Sequence, residues 1–380
     1  MRRAALVCCT LLLLTACNRT SKKDNVEPPA ELTEIPAAIG VQQLWSHNVG
    51  EGEERLGIRQ HPVLADGRVY AADLEGNVYA LDAESGKALW QVETGLRLSG
   101  GPGAGEGTVA VGSLDGEVVA LNPDSGEERW RAKASSEVIA TPAVGGGLVI
   151  VRANDGRVFA FGLTDGERRW VYDRGLPSLT LRGNGAPLIA EGAVFLGYDN
   201  GTVVALRLAD GVQQWEQAVA VGEGRTELER MVDIDGELIV DAQEVFAAAY
   251  NGQLLAIALQ GGRPLWNREL SSYGGLALAG ERVLVSDDDG TVWALDRRSG
   301  SAVWKQEALA HRWLTTPAVQ GDYAVVGDLE GYLHWLKLED GALAARERLT
   351  RDPIRATPQV AGDLLYAVGT NGELGAYRLQ

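Results

Sequence analysis

The sequence predicts an all-β fold, an eight-bladed β-propeller of four-stranded antiparallel blades. Three observations carry this. A unit with a period of about 40 residues recurs along the chain, the signature of four short strands per blade. Its turn glycines fall at Gly76, Gly116, Gly156, Gly201, Gly252, Gly290, Gly331 and Gly372. Fourteen residues after each of the first six stands a tryptophan (Trp90, Trp130, Trp170, Trp215, Trp266, Trp304), with Ala345 at that position in the seventh. Fourteen residues before the glycine stands Pro62, Pro102, Pro142, Pro187, Pro317 or Pro358, with Leu238 and Leu276 in the other two units.

The chain opens with a targeting segment, residues 1–16. Arg2 and Arg3 precede an apolar run, Ala4 to Leu14, too short to span a membrane and stay there. Leu14-Thr15-Ala16-Cys17 then resembles a bacterial lipobox, in which Cys17 is lipidated after cleavage before it. Asn18, rather than Asp, at the next position points to the outer membrane. Residues 17–38 are polar beyond the cysteine and contain three prolines, and read as an extended, flexible tether. The propeller occupies 39–380 as one domain.

Each unit supplies strands A to D in order. In the second, strand A falls near 102–104, strand B is "TVAVGSL", strand C is "EVVALN" and strand D surrounds "ERW". Alternation within B and C suits half-buried strands, and Asp-Gly and Ser-Gly supply the turns. The tryptophan is expected between neighbouring blades, where its large apolar area helps hold the stack. The eighth unit ends after strand C, whereas "VQQLWSHNV", 41–49, carries Trp45 with no A, B or C before it. That N-terminal strand is expected to complete blade eight, close the ring and remove sheet edges.

Composition limits the chemistry. Forty-eight glycines suit a turn-rich chain, and a net charge of −17 disfavours nucleic acid as a partner. Cys8 and Cys9 lie in the removed segment and Cys17 carries lipid, so the mature domain has neither a disulfide nor a cysteine metal site. The four histidines, His47, His61, His311 and His334, lack metal-ligand spacing. Acids in 233–244 are spaced as in a calcium loop, but Leu238 stands where that loop needs glycine. No catalytic group, cofactor or metal is expected.

The period breaks in two places. Trp-to-Pro spacings between units are 12, 12, 17, 23, 10 and 13, so the long D–A connections are Val171–Ala186 and Glu216–Glu237. They are consecutive and emerge on one propeller face, so they should stand side by side; long loops on a rigid scaffold commonly bind. The first carries Leu179, Leu181 and Arg182, the second Asp233 and Asp235. Apolar anchors surrounded by charge suit a protein-binding spot.

The Ala-Leu-x-x-x-x-Gly-x-x-x-Trp unit is similar to that of quinoprotein dehydrogenases, but only the blade motif is shared. The vicinal Cys-Cys pair over which that family seats its cofactor has no counterpart in the mature chain. The lipobox, "PSLTLRG", "RTELERMVDIDG", "AYNG", "HRWLTTPAV" and "VGDLEGYLHW" resemble the BamB family, lipoproteins of the outer-membrane β-barrel assembly machinery. The resemblance implies a non-catalytic scaffold that contacts the central subunit BamA through its POTRA domains, at Leu179, Leu181, Arg182, Asp233 and Asp235. It leaves direct contact with unfolded outer-membrane proteins as a further expectation, and a generic envelope protein-binding propeller or a quinoprotein dehydrogenase as alternatives.

Overall fold

The computed structural model describes residues 27–35, 38–52, 60–174, 185–222 and 232–380. Among them are eight four-stranded antiparallel sheets and no helix, an eight-bladed propeller. Blade two shows the pattern: A is Gly103–Gly105, B Thr108–Gly112, C Glu117–Leu121 and D Glu128–Lys133. In blade eight, Gln359–Ala361, Leu364–Val368 and Glu373–Leu379 are followed by the N-terminal strand Val41–Asn48. That strand runs antiparallel to the last, from Val41 opposite Leu379 to Asn48 opposite Glu373. Ring closure is therefore the pairing of the two ends of the propeller.

The core lies between blades rather than within one layer. One cluster joins Phe195, Val203, Ala205 and Trp215 of blade four to Val245, Ala247, Leu255 and Ile257 of blade five. Equivalent clusters recur around the ring. Strands B and C are consequently buried on both faces, as along Thr108–Gly112, where every residue is buried. The half-buried expectation fails because each blade is sandwiched by its neighbours. Closure also leaves the outer edges in place, since every sheet ends on a D strand. Charged residues such as Glu128, Arg129, Arg131 and Lys133 line these edges and discourage further pairing.

Tryptophans fasten the blades. Trp45, Trp90, Trp130, Trp170, Trp215, Trp266 and Trp304 each donate Nε1–H to a carbonyl in the C–D turn of the next blade. The acceptors are Ala83, Pro123, Leu163, Leu208, Leu259, Arg297 and Leu338, at 2.7–3.1 Å. Blade seven reaches the same end differently. Elsewhere an alanine on strand C faces the tryptophan on strand D, as Ala294 faces Trp304; here Trp335 on C faces Ala345 on D. Trp335 is fully buried, donates to Gln320 Oε1 at 2.9 Å and packs edge-on against Tyr377 of blade eight.

The N-terminal approach is docked. Residues Glu27 to Ile35 lie against blades six and seven: Ala30 N–H donates to Ala310 O at 2.9 Å, and Leu32 joins their shared apolar cluster. Arg312 donates to Ala30 O at 2.8 Å and Arg346 to Thr33 O at 3.1 Å. Behind them Arg312 pairs with buried Asp328 at 2.8 Å, and Asp328 accepts from His334 at 2.9 Å. Burial alone would raise the Asp328 carboxyl, but bonds from His334, the Tyr332 backbone and Arg312 hold it below the usual range. Part of the stretch read as a tether thus rests on the ring, because Leu32 finds apolar surface and two arginines reach its carbonyls. Deleting residues up to Ile35 is expected to lower stability by ~1–3 kcal/mol through these contacts, with the ring intact. Urea midpoints of the two chains test this; equal midpoints would mean the segment rests on the blades without holding them.

Candidate partner-binding site

The D–A connections and B–C turns share one face. The described ends of the two long connections meet there: a side chain on Gly185, from the first, would come within 3.1 Å of Ile234 O, from the second. The expectation that these loops run side by side therefore holds at their C-terminal ends. Leu179, Leu181 and Arg182, like Cys17, lie outside the described residues.

The second connection is pinned by alternate residues. Val232, Ile234 and Leu238 are buried in the cluster between blades four and five, and Gly197 leaves room for the Ile234 side chain. Asp233, between two of these anchors, bridges blade five, its carbonyl accepting from Tyr250 N–H at 2.8 Å. Leu238 is core, where a calcium loop would need glycine. The connection ends at Glu237, whose carboxylate lies 3.3 Å from His61, itself 3.2 Å from Thr141 Oγ1. Blades one, three and five thus touch across the ring.

Beneath this surface lies a buried charge network. Arg152, fully buried at the end of strand B in blade three, donates to Gly197 O at 2.7 Å and pairs with Asp199 at 2.5 Å, both in blade four. Its guanidinium stacks over Tyr198, which a second arginine, Arg174, also covers. Arg174 pairs with Glu216 at 2.6 Å. Asp233 is 2% exposed, and neither carboxylate oxygen has a hydrogen-bond partner among the described residues. Its carboxyl is pushed up to about 9, chiefly by burial and further by Asp235 and Asp199, with Arg152 opposing. Of the acidic pair, Asp235 is the half-buried one. Asp233 is accordingly internal, and of the acidic pair expected at a surface spot only Asp235 is partly exposed.

Arg152, Tyr198 and Asp199 were not among the residues singled out from sequence, although a signal existed. The last residue of strand B is Ala72, Gly112, Gly197, Ala248, Ser286, Gly327 or Val368 in the other blades. An arginine in that series is the odd one out.

The family profile described as outer membrane protein assembly factor BamB matches residues 40–95, 74–306 and 294–380. The chain belongs to this BamB family. Relatives named outer membrane protein assembly factor BamB include one from Xanthomonas campestris, 46% identical over 100% of this chain and 98% of its own length. Another, from Pseudomonas aeruginosa, is also 46% identical and covers 100% of this chain and 99% of itself. Among solved structures, BamB from Moraxella catarrhalis superposes with a TM-score of 0.82 at 28% identity, over 89% of this chain and 100% of that one. A quinohemoprotein alcohol dehydrogenase from Comamonas testosteroni, at 15% identity and a TM-score of 0.72 over 89% of this chain and 76% of that one, shares the fold alone.

Proposed function

We propose that this BamB-family chain is a non-catalytic scaffold subunit of the outer-membrane β-barrel assembly machinery. In this reading it is anchored by lipid on Cys17, faces the periplasm and docks on the POTRA domains of BamA, helping outer-membrane proteins to fold and insert. The observation that carries it is the meeting of the two longest connections over a buried Arg152–Asp199 network on one face of a BamB-family propeller. Leu179, Leu181 and Arg182 supply the contact from the first connection and Asp235 from the second, while Asp233 holds the second in place. The network makes the loops' foundation rigid, which lowers the ordering cost of binding. Lipid and loop act together, so the second contact gains from high effective concentration. A redox role lacks support, because the adjacent cysteines of the chain lie in the segment read as a signal peptide.

The test is a pull-down from detergent-solubilised outer membrane with the mature protein and a folded Leu181→Glu/Arg182→Glu variant. We expect the parent to retain BamA and the variant to lose it at least about tenfold, as for an interface anchor. Equal retention would move the site elsewhere on the propeller. Retention by neither would overturn the docking and leave a general envelope-binding propeller.

A further inference from the structure

On the same face, blades six, seven and eight enclose a cavity of about 530 Å³ that the BamA-docking proposal does not use. Its wall has two aromatic sides. Trp313 is 66% exposed, and its φ of 51° lies in the left-handed region that bulky residues rarely adopt. The strain is held by the surrounding bonds. Arg312, the residue before it, is buried against Asp328, and its carbonyl accepts from Leu329 N–H at 3.0 Å. His311 N–H donates to Asp289 O at 2.7 Å. A loop so constrained that presents an indole to solvent is the kind of strained feature that marks binding sites. Tyr273, also on the wall, is 46% exposed and stacks on Tyr250 with ring centroids 4.3 Å apart.

The polar groups point to a ligand. Ser286 lines the cavity at 5% exposure, and its hydroxyl has no hydrogen-bond partner among the described residues. Most other blades end strand B on alanine, glycine or valine, so the hydroxyl is no requirement of the fold. Buried hydroxyls are ordinarily satisfied, and this one awaits a partner. Asp287 has both oxygens engaged, by Thr291 N–H at 2.7 Å and Trp293 Nε1–H at 2.8 Å. Asp288, also among the lining residues, is exposed and brings a second acidic residue to the same cavity. The cation on the wall, Arg355, already has an interaction of its own.

We propose that this cavity binds a cationic side chain, an arginine or lysine presented by a polypeptide partner. Aromatic faces attract such a cation, Asp288 accepts a charge-assisted bond from it, and the Ser286 hydroxyl can accept another. An anion would be repelled by two aspartates in a chain of net charge −17. A neutral sugar would cover Asp288 without matching its charge. The cavity also exceeds one guanidinium in volume, leaving room for the stem and backbone that present it.

The assignment stands independently of the docking proposal, because it is tested without any membrane protein. The mature chain, labelled with ¹⁵N-tryptophan, is titrated at low salt with a blocked tripeptide carrying one arginine. The same peptide carrying citrulline and the disaccharide chitobiose are titrated in parallel, and a Trp313→Phe variant assigns the indole resonance. We expect the arginine peptide to shift the Trp313 signal and the citrulline peptide to bind about tenfold more weakly. Asp288→Asn, an exposed and conservative change, should weaken the arginine peptide about fivefold, and added salt should do the same. Equal binding of the citrulline peptide, response to the disaccharide alone, no shift with arginine peptide at millimolar concentration, or full binding by Asp288→Asn would each overturn it.

Discussion

Trp304→Ala is expected to cost ~3–5 kcal/mol of unfolding free energy, the range for removing a buried large aromatic side chain. Trp304 is 9% exposed, packs with Leu284, Ala324 and Leu336, and donates to Leu338 O at 2.9 Å. Its neighbour Val303 is 49% exposed, so Val303→Ala should stay within about 0.5 kcal/mol. Gly341 of blade seven lies over the indole: a Cβ there would sit 2.5 Å from Trp304, and its φ is 75°. Gly341→Ala is therefore destabilising twice, through the backbone and through the clash. Only the clash disappears when Trp304 is already alanine. The double variant should consequently lose less than the sum of the singles, by about 1 kcal/mol or more. Denaturant unfolding of the four proteins measures this, and strict additivity would mean that glycine and tryptophan do not act as one unit.

That pairing explains why so much of the fold was legible. The Gly-x-x-x-Trp spacing places a glycine where it receives the previous blade's indole and a tryptophan where it enters the next. A repeated contact becomes a repeated motif. Blade seven hid the contact because Trp335 crossed from strand D to strand C, keeping the volume while breaking the spacing. The docked segment Glu27–Ile35 was illegible for another reason. Three of its bonds run through its own backbone, to Ala310 O and from Arg312 and Arg346, and backbone groups carry no sequence. At the site, loop length disclosed where the connections converge but not how deep each residue sits. Asp233 reads as a surface acid in "MVDIDG", yet Val232 and Ile234 anchor the connection on either side and carry it inward.

The depth of Asp233 has a measurable consequence. Its folded pKa is raised far above the ordinary carboxylate range, so the folded state binds a proton that the unfolded chain releases near pH 4. The stability linked to that proton is fully present below the unfolded pKa. It is lost as pH rises toward about 9. Wild-type stability should therefore fall with pH across this window, on the order of a few kcal/mol from Asp233 alone. Asp233→Asn keeps the shape and cannot ionise, so its stability should fall much less, and it should be the more stable protein at pH 9. Other carboxyls contribute to both curves, Asp287 raised and Asp328 lowered, so the difference between the two proteins isolates Asp233. Urea unfolding at half-unit steps from pH 5 to 9 gives that difference. Parallel curves would mean that Asp233 is already charged at neutral pH and balanced by Arg152. Diverging curves would instead make Asp233 a neutral pin beneath the loops at neutral pH, leaving Asp235 as the partly exposed acid of the pair.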